Sequence, residues 1–240
     1  MTDIWAVIDA TWTAPRTHRT GPFLIREGQG GGQRVSAATS LGDVSSADIE
    51  AAAQAMRDLE QTPLFMVRGA QAAFDAQLEA LGYVVNDPVV VLQGPIEKPC
   101  AEPPPPVSAF PIWPPLHIMR ELWETGGIGP ERLAVMNASS DPKTAILGRA
   151  QDRAVGCAFV SIHDRTAMIH AVEVIAPYRR KGAARNMVRG AALWARDHGA
   201  TRFATLTTRS NTASQALFAS LGLNPVEHYH YRILREEAHV

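Results

Sequence analysis

The stretch Val174-Ile175-Ala176-Pro177-Tyr178-Arg179-Arg180-Lys181-Gly182-Ala183-Ala184 sets three consecutive basic side chains and a glycine at the threshold of a long helical pattern. The first amides of a helix lack carbonyl partners and carry the positive end of its dipole, so such a threshold suits an anion of phosphate size. Gly182 allows a ligand close to the backbone, and Ala183 and Ala184 put almost no side chain in the way. Between Arg179 and Arg209 stand eight basic residues (Arg179, Arg180, Lys181, Arg185, Arg189, Arg196, Arg202 and Arg209) against one acid, Asp197. A solvated helix face accounts for Arg189 and Arg196; residues 179–184 read as the anion site. The pattern is neither a Walker loop, which needs two glycines followed by Lys and Ser or Thr, nor a dinucleotide fingerprint, which needs three glycines and a later acid.

The elements that must position this loop are a strand before it and a helix after it. Residues 168–174 read as the strand. Residues 183–198 read as the helix, with Met187, Ala191, Trp194 and Ala195 at i, i+4, i+7 and i+8 and Gly199 as its stop. Around them, 118–125 and 131–138 read as helices and 144–149 and 155–162 as strands. His163-Asp164-Arg165-Thr166 reads as a hairpin turn, 203–207 as a strand, 211–221 as a helix and 228–234 as a last strand. In the first half, strands are expected at 23–26, 34–38, 64–67 and 89–92, with helices at 47–59 and 72–81. An offset of 140 residues lays these elements on those of the second half, with Leu81-Gly82-Tyr83 on Leu221-Gly222-Leu223. An old duplication and two unrelated pieces of similar spacing both explain this.

Prolines at 95, 99, 103–106, 111, 114 and 115 separate the halves. Proline fixes φ and removes the amide donor, so an extended polyproline spacer is expected, with neither helix nor central strand. The division is a lobe at 1–94, a linker at 95–110 and a domain at 111–240 that should fold by itself. A formal net charge of -1 over 240 residues gives no case for nucleic acid or an anionic membrane surface. Two cysteines fit a reducing cytoplasm. No membrane span or leader peptide is expected from the apolar runs or from the start at Met1 and Thr2. His163, His228 and His230 have no metal-ligand spacing, so no metal is expected.

The loop resembles that of the GNAT superfamily of acyl-CoA-dependent N-acyltransferases. Arg179, Gly182 and Ala184 match its Arg-x-x-Gly-x-Ala pattern, with Val174 five residues ahead. Asn211, Ala213, Leu217, Leu221, Gly222 and Leu223 match the family's next helix, with Leu223 in place of the usual Phe. The resemblance covers roughly 118–235. It implies an α/β (α+β) fold: a mixed, mostly antiparallel sheet flanked by helices, preceded here by a smaller degenerate GNAT-like lobe. It implies acetyl-CoA as co-substrate and an amine of a small molecule or peptide as acceptor. The backbone of Val172 to Val174 would bind the pantetheine arm. The amides of Arg180, Lys181, Gly182, Ala183, Ala184 and Arg185 would cradle the pyrophosphate, and Asn211 would lie near the pantetheine or thiol end. Homodimerisation is left open.

His170 is the first candidate base, because arylalkylamine acetyltransferases of the family place a histidine at the matching position. It lies four residues before Val174, so strand alternation puts both on one face. A packed strand histidine is the equal alternative. Glu173 is the second candidate. It should face the other way unless a bulge re-aims it, and a half-buried salt bridge suits it better. The family's thiolate-protonating Tyr is replaced by Phe218, and its strand Glu by Leu206. Tyr229 and Tyr231 are substitutes to be weighed against core packing. At the positions 140 residues before 179–184 the basic residues are absent and Asp43 would repel phosphate. The first lobe should therefore hold no second cofactor site, and should cover the sheet or shape the acceptor pocket. The losses also leave room for an acyl-CoA-binding regulatory module without turnover, or a structural pairing module without CoA affinity.

Overall fold

A computed structural model describes residues 3–234; Met1, Thr2 and Arg235, which figure in the sequence reading, lie outside the described residues. Chain order runs α1 (Ile4–Thr11), β1 (Arg16–Thr20), β2 (Phe23–Glu27), a 3-10 turn (Gln33–Val35), β3 (Ala38–Ser40), α2 (Ser46–Asp58), β4 (Leu64–Arg68), α3 (Ala72–Ala80) and β5 (Tyr83–Pro95). It continues with α4 (Glu97–Cys100), β6 (Ala109–Ile112), α5 (His117–Thr125), α6 (Pro130–Ala138), β7 (Lys143–Ala150), β8 (Arg153–His163) and β9 (Thr166–Val174). A second 3-10 turn (Ala176–Tyr178), α7 (Ala183–Asp197), β10 (Arg202–Thr208), α8 (Thr212–Ser220) and β11 (Asn224–Leu234) complete it. No helix among the described residues is long and apolar enough to cross a membrane.

The chain forms two compact units whose segments interleave. One holds the described residues up to Thr13, Val91–Leu206 and Thr212–Val226; the other holds Ala14–Val90, Thr207–Asn211 and the described residues from Glu227. In the first unit the strands follow the order β5-β10-β9-β8-β7-β6; in the second, β1-β2-β3-β4-β11. The strand beside β10 thus comes from the first half of the sequence, and the strand beside β4 from the second. Each compact unit thus draws strands from both halves of the sequence, because strand partners are chosen by long-range pairing and not by sequence proximity.

In the first unit, β7, β8 and β9 are joined by two-residue loops, Gln151-Asp152 with φ of 50° and 60° and Asp164-Arg165 with φ of 43° and 59°. Positive φ at both central positions twists a hairpin the way its strands twist, so the turn expected at 163–166 forms. Helix α7 lays Met187, Val188, Ala191, Ala192 and Ala195 on one face of β6 to β9, while α1 and α5 pack on β8 and β9. Gly190 permits the close approach of α7: a Cβ there would lie 2.8 Å from the Ala109 Cβ. Helix α1 was not anticipated. Its signal is Asp3, whose carboxylate caps the Trp5 amide at 2.9 Å, followed by an apolar run that buries Val7, Ile8 and Thr11.

In the second unit α2 and α3 cover Phe23, Ile25, Ala38, Phe65 and Val67. The strand expected at 34–38 is instead a 3-10 turn with β3 starting at Ala38, because left-handed Gly30 and Gly32 (φ 81° and 98°) fold the chain back. The proline segment also departs from expectation. Residues 97–100 form a short helix containing Pro99, which needs no amide partner in a first turn. Pro111 sits in β6, at the sheet edge, where a missing donor costs nothing.

Candidate active site

Strand β9 pairs with β10 from Arg202↔Thr166 to Thr205↔Ile169, and there the ladder ends, with the Thr205 hydroxyl donating to the Ile169 carbonyl at 3.2 Å. β9 continues to Val174, so residues 170–174 run on without β10 beside them. Against β8, His170 is opposite Phe159 and Glu173 opposite Cys157. Three steps on β9 against two on β8 define a bulge. Ala171 occupies the left-handed region there (φ 51°), and its carbonyl accepts from the fully buried Trp123 indole at 2.8 Å.

The bulge overturns the expected alternation. His170 and Glu173 share the face of Phe159 and Cys157, under α1 and α5, whereas Val174 pairs with Gly156 on the α7 side. A Cβ at Gly156 would meet the Met187 Cε at 3.0 Å and the Val174 Cγ2 at 3.2 Å. His170 and Val174 are therefore on opposite faces. The extra residue shifts the parity of every side chain before it.

His170 is 5% exposed. Its ring lies 5.1 Å from that of Trp12 and stacks at 6.3 Å on Phe159. Its Nε2 is 3.0 Å from the Thr11 hydroxyl oxygen, and that hydroxyl donates to the Val7 carbonyl at 2.7 Å. The Thr11 hydroxyl thus ties the His170 ring to the backbone of α1. Glu173 is held by Arg179, whose terminal guanidinium nitrogen donates to Oε1 at 3.0 Å.

Beyond Val174 the chain makes its 3-10 turn, and Arg179 reaches back, its Nε donating to the Val174 carbonyl at 2.8 Å. Arg180 (φ 61°) and Gly182 (φ 86°) are both left-handed, and Gly182 opens α7 with no side-chain cap and no acid in the first turn. Arg180 and Lys181 are exposed, Lys181 lying 5.4 Å over the Tyr178 ring. Arg185 donates to the Ser220 hydroxyl at the end of α8 at 3.1 Å. Val172, Val174, Arg179, Arg180, Lys181, Gly182, Ala183, Ala184 and Arg185 thus fall in one compact unit as a strand end, a basic loop and an uncapped helix start. Asn211 belongs to the other unit, its amide donating to the Thr208 carbonyl at 3.1 Å.

Arg189 is paired with Glu102 and Arg196 with Asp197. Phe218 is buried. Tyr229 and Tyr231 are buried in the second unit with their hydroxyls 3.5 Å apart, and burial followed by Tyr229 pushes the Tyr231 phenol well above its ordinary range. His230 meets Asp75 at 2.8 Å. Burial, then the nearby Glu173, pushes the Cys157 thiol up, away from any nucleophilic role.

Residues 112–223 match the model of the Acetyltransferase (GNAT) family, which marks a GNAT domain in that segment. An uncharacterized N-acetyltransferase of Bacillus subtilis is 32% identical over 76 residues, which span 32% of this chain and 31% of that protein. The fold extends over nearly the whole length. A GCN5-related N-acetyltransferase from Kribbella flavida superposes with a TM-score of 0.72 at 14% identity, covering 97% of this chain and 94% of its own. A tandem GNAT protein from the clavulanic acid biosynthesis pathway superposes with a TM-score of 0.63 at 12% identity, covering 99% and 89%.

Proposed function

We propose that the chain is an acyl-CoA-dependent N-acetyltransferase whose cofactor is held by residues 172–185. The observation that carries this reading is the continuity of three features in one compact unit: a β9 segment beyond the β10 ladder, a basic loop, and a helix start whose amides no side chain caps. The backbone of Val172 to Val174 offers strand-type hydrogen bonds to an extended pantetheine amide chain. The amides of Gly182, Ala183, Ala184 and Arg185, with Arg180 and Lys181 beside them, suit a pyrophosphate. When bound, acetyl-CoA supplies the thioester to be attacked.

The acceptor is an amine, and it must lose a proton to react. Of the two candidate bases, Glu173 is engaged by Arg179, while His170 carries an imidazole that Thr11 steadies at Nε2. His170 is therefore our base. The burial of His170 and the Phe at 218 favour a second reading, an acyl-CoA-binding module without turnover. Release of free thiol from acetyl-CoA across a panel of amines, beside calorimetric binding of CoA, separates them. Binding with turnover supports the enzyme; binding alone supports the module; no binding removes both.

A further inference from the structure

Arg179 opens the loop motif, yet its guanidinium is not held out toward the loop's mouth. Its Nε is committed to the Val174 carbonyl at 2.8 Å and a terminal nitrogen to Glu173 at 3.0 Å. Both contacts are on β9, at the far side of the bulge from His170. Glu173 lies opposite Cys157 on the α5 face, next to Val174 on the other, and the bulge at Ala171 brings His170 to that same face. There the Glu173 side chain is 20% exposed, against 60% for Arg179, so the bond is partly shielded from water. A third segment is shaped to it: a Cβ on Gly126, at the end of α5, would stand 2.7 Å from the Glu173 Cγ and Cδ. One carboxylate thus joins the end of α5, the bulged strand and the first residue of the cradle.

We infer that Glu173 is a positioning residue for cofactor binding: it acts through Arg179 to hold the loop 179–182 in the conformation that aims the α7 amides at a phosphate. Two consecutive features make such a brace necessary. Arg180 is a non-glycine residue in the left-handed region, which is disfavoured by sterics. The start of α7 has no side-chain cap to fix it. A loop with strained backbone and no cap holds one shape only when something outside it over-determines that shape. Arg179, fixed at two points of β9, supplies that restraint. This inference rests on the acyl-CoA reading of the site.

The test is a double-mutant cycle on CoA affinity, measured by calorimetry with CoA itself and independently of turnover. Glu173→Ala and Arg179→Gln should each weaken CoA about tenfold, and the double variant should be no weaker than the worse single one. Gly126→Ala keeps both charges but displaces the flexible end of Glu173, and should weaken CoA several-fold. In steady-state assays these variants should raise KM for acetyl-CoA far more than they lower kcat. Additive losses in the cycle would overturn the inference, because Arg179 would then meet the cofactor on its own. An unchanged affinity in Glu173→Ala would overturn it too, as would a loss confined to kcat, which would return Glu173 to the role of base. If the unsubstituted protein does not bind CoA, the acyl-CoA reading itself fails, and that outcome is distinct from all of these.

Discussion

Helices α2 and α7 begin in opposite ways. At α2 the N-cap Ser45 accepts from the Asp48 amide at 3.2 Å, and the Asp48 carboxylate accepts from the Ser45 amide at 2.9 Å and from its hydroxyl at 2.6 Å. This is a complete capping box, and it sets a carboxylate where an anion would have to sit. At α7 the N-cap is left-handed Gly182, without a cap and with Arg180 and Lys181 beside it. The two starts belong to segments related by the 140-residue offset: it carries α3 (Ala72–Ala80) onto α8 (Thr212–Ser220) end to end, and β4 onto part of β10. The same scaffold is therefore self-satisfied in one half and open in the other. A helix start can satisfy its own amides and gain stability, or leave them for a ligand; the absence of basic residues before α2 agrees with the first choice.

The sharpest way to break this contrast is Gly182→Val. A Cβ there meets nothing within 4 Å, so the free protein should still fold, but a β-branched residue at φ 86° costs ~1–2 kcal/mol and distorts the cradle. Stabilisation by acetyl-CoA, worth about 2.7 kcal/mol at one hundred times Kd, should disappear from thermal melts. A variant that melts and responds like the parent would remove Gly182 from the site.

A smaller effect separates cradle from chemistry. His170→Gln should lower kcat about 100-fold, in the range of a lost general base, with CoA affinity kept within a few-fold. Thr11→Val removes the partner of Nε2 and should cost roughly a tenth of that effect in rate. Normal turnover in His170→Gln would make the histidine a packing residue.

Charge is next. Arg180→Ala combined with Lys181→Ala should weaken CoA about tenfold and flatten its dependence on salt, since exposed charges act through a screened field. An unchanged salt dependence would leave attraction to the backbone amides alone.

The smallest effect is expected at the closed helix start. Ser45→Ala should cost ~1 kcal/mol of stability and leave CoA binding untouched. The bond from Ser45 holds the Asp48 carboxyl below its ordinary value of 3.8. A depressed folded-state value stabilises the protein above pH 3.8, and that contribution is lost as the pH falls through the folded-state value. Acid titrations of Ser45→Ala should therefore lose less stability below about pH 4 than the parent does. Tighter or weaker CoA binding in this variant would contradict the separation of the two helix starts.

Much of this was legible locally. The loop at 179–182, the helix from Ala183, the turn at 163–166 and the helices at 118–125 and 131–138 follow from adjacent residues, because caps, turn dihedrals and helical periodicity are short-range properties. Helix α1 escaped because eight residues carry little periodicity. Residues 97–100 and Pro111 escaped because proline excludes central strands and long helices, not a first turn or an edge.

The sequence by itself determined where an anion could be held, since Arg179 to Ala184 are neighbours in the chain and the chemistry of a helix start needs nothing further away. It also showed that the basic residues of that loop have no counterpart before α2. Only the tertiary structure decided that Glu173 turns toward α5 and binds Arg179, that His170 leaves the face of Val174 and meets Thr11, and that β5 and β11 each run into both compact units. Those outcomes depend on pairing between residues far apart: one unpaired residue at Ala171 reverses the facing of the strand before it, and nothing in the residues beside Ala171 states which strand will lie opposite.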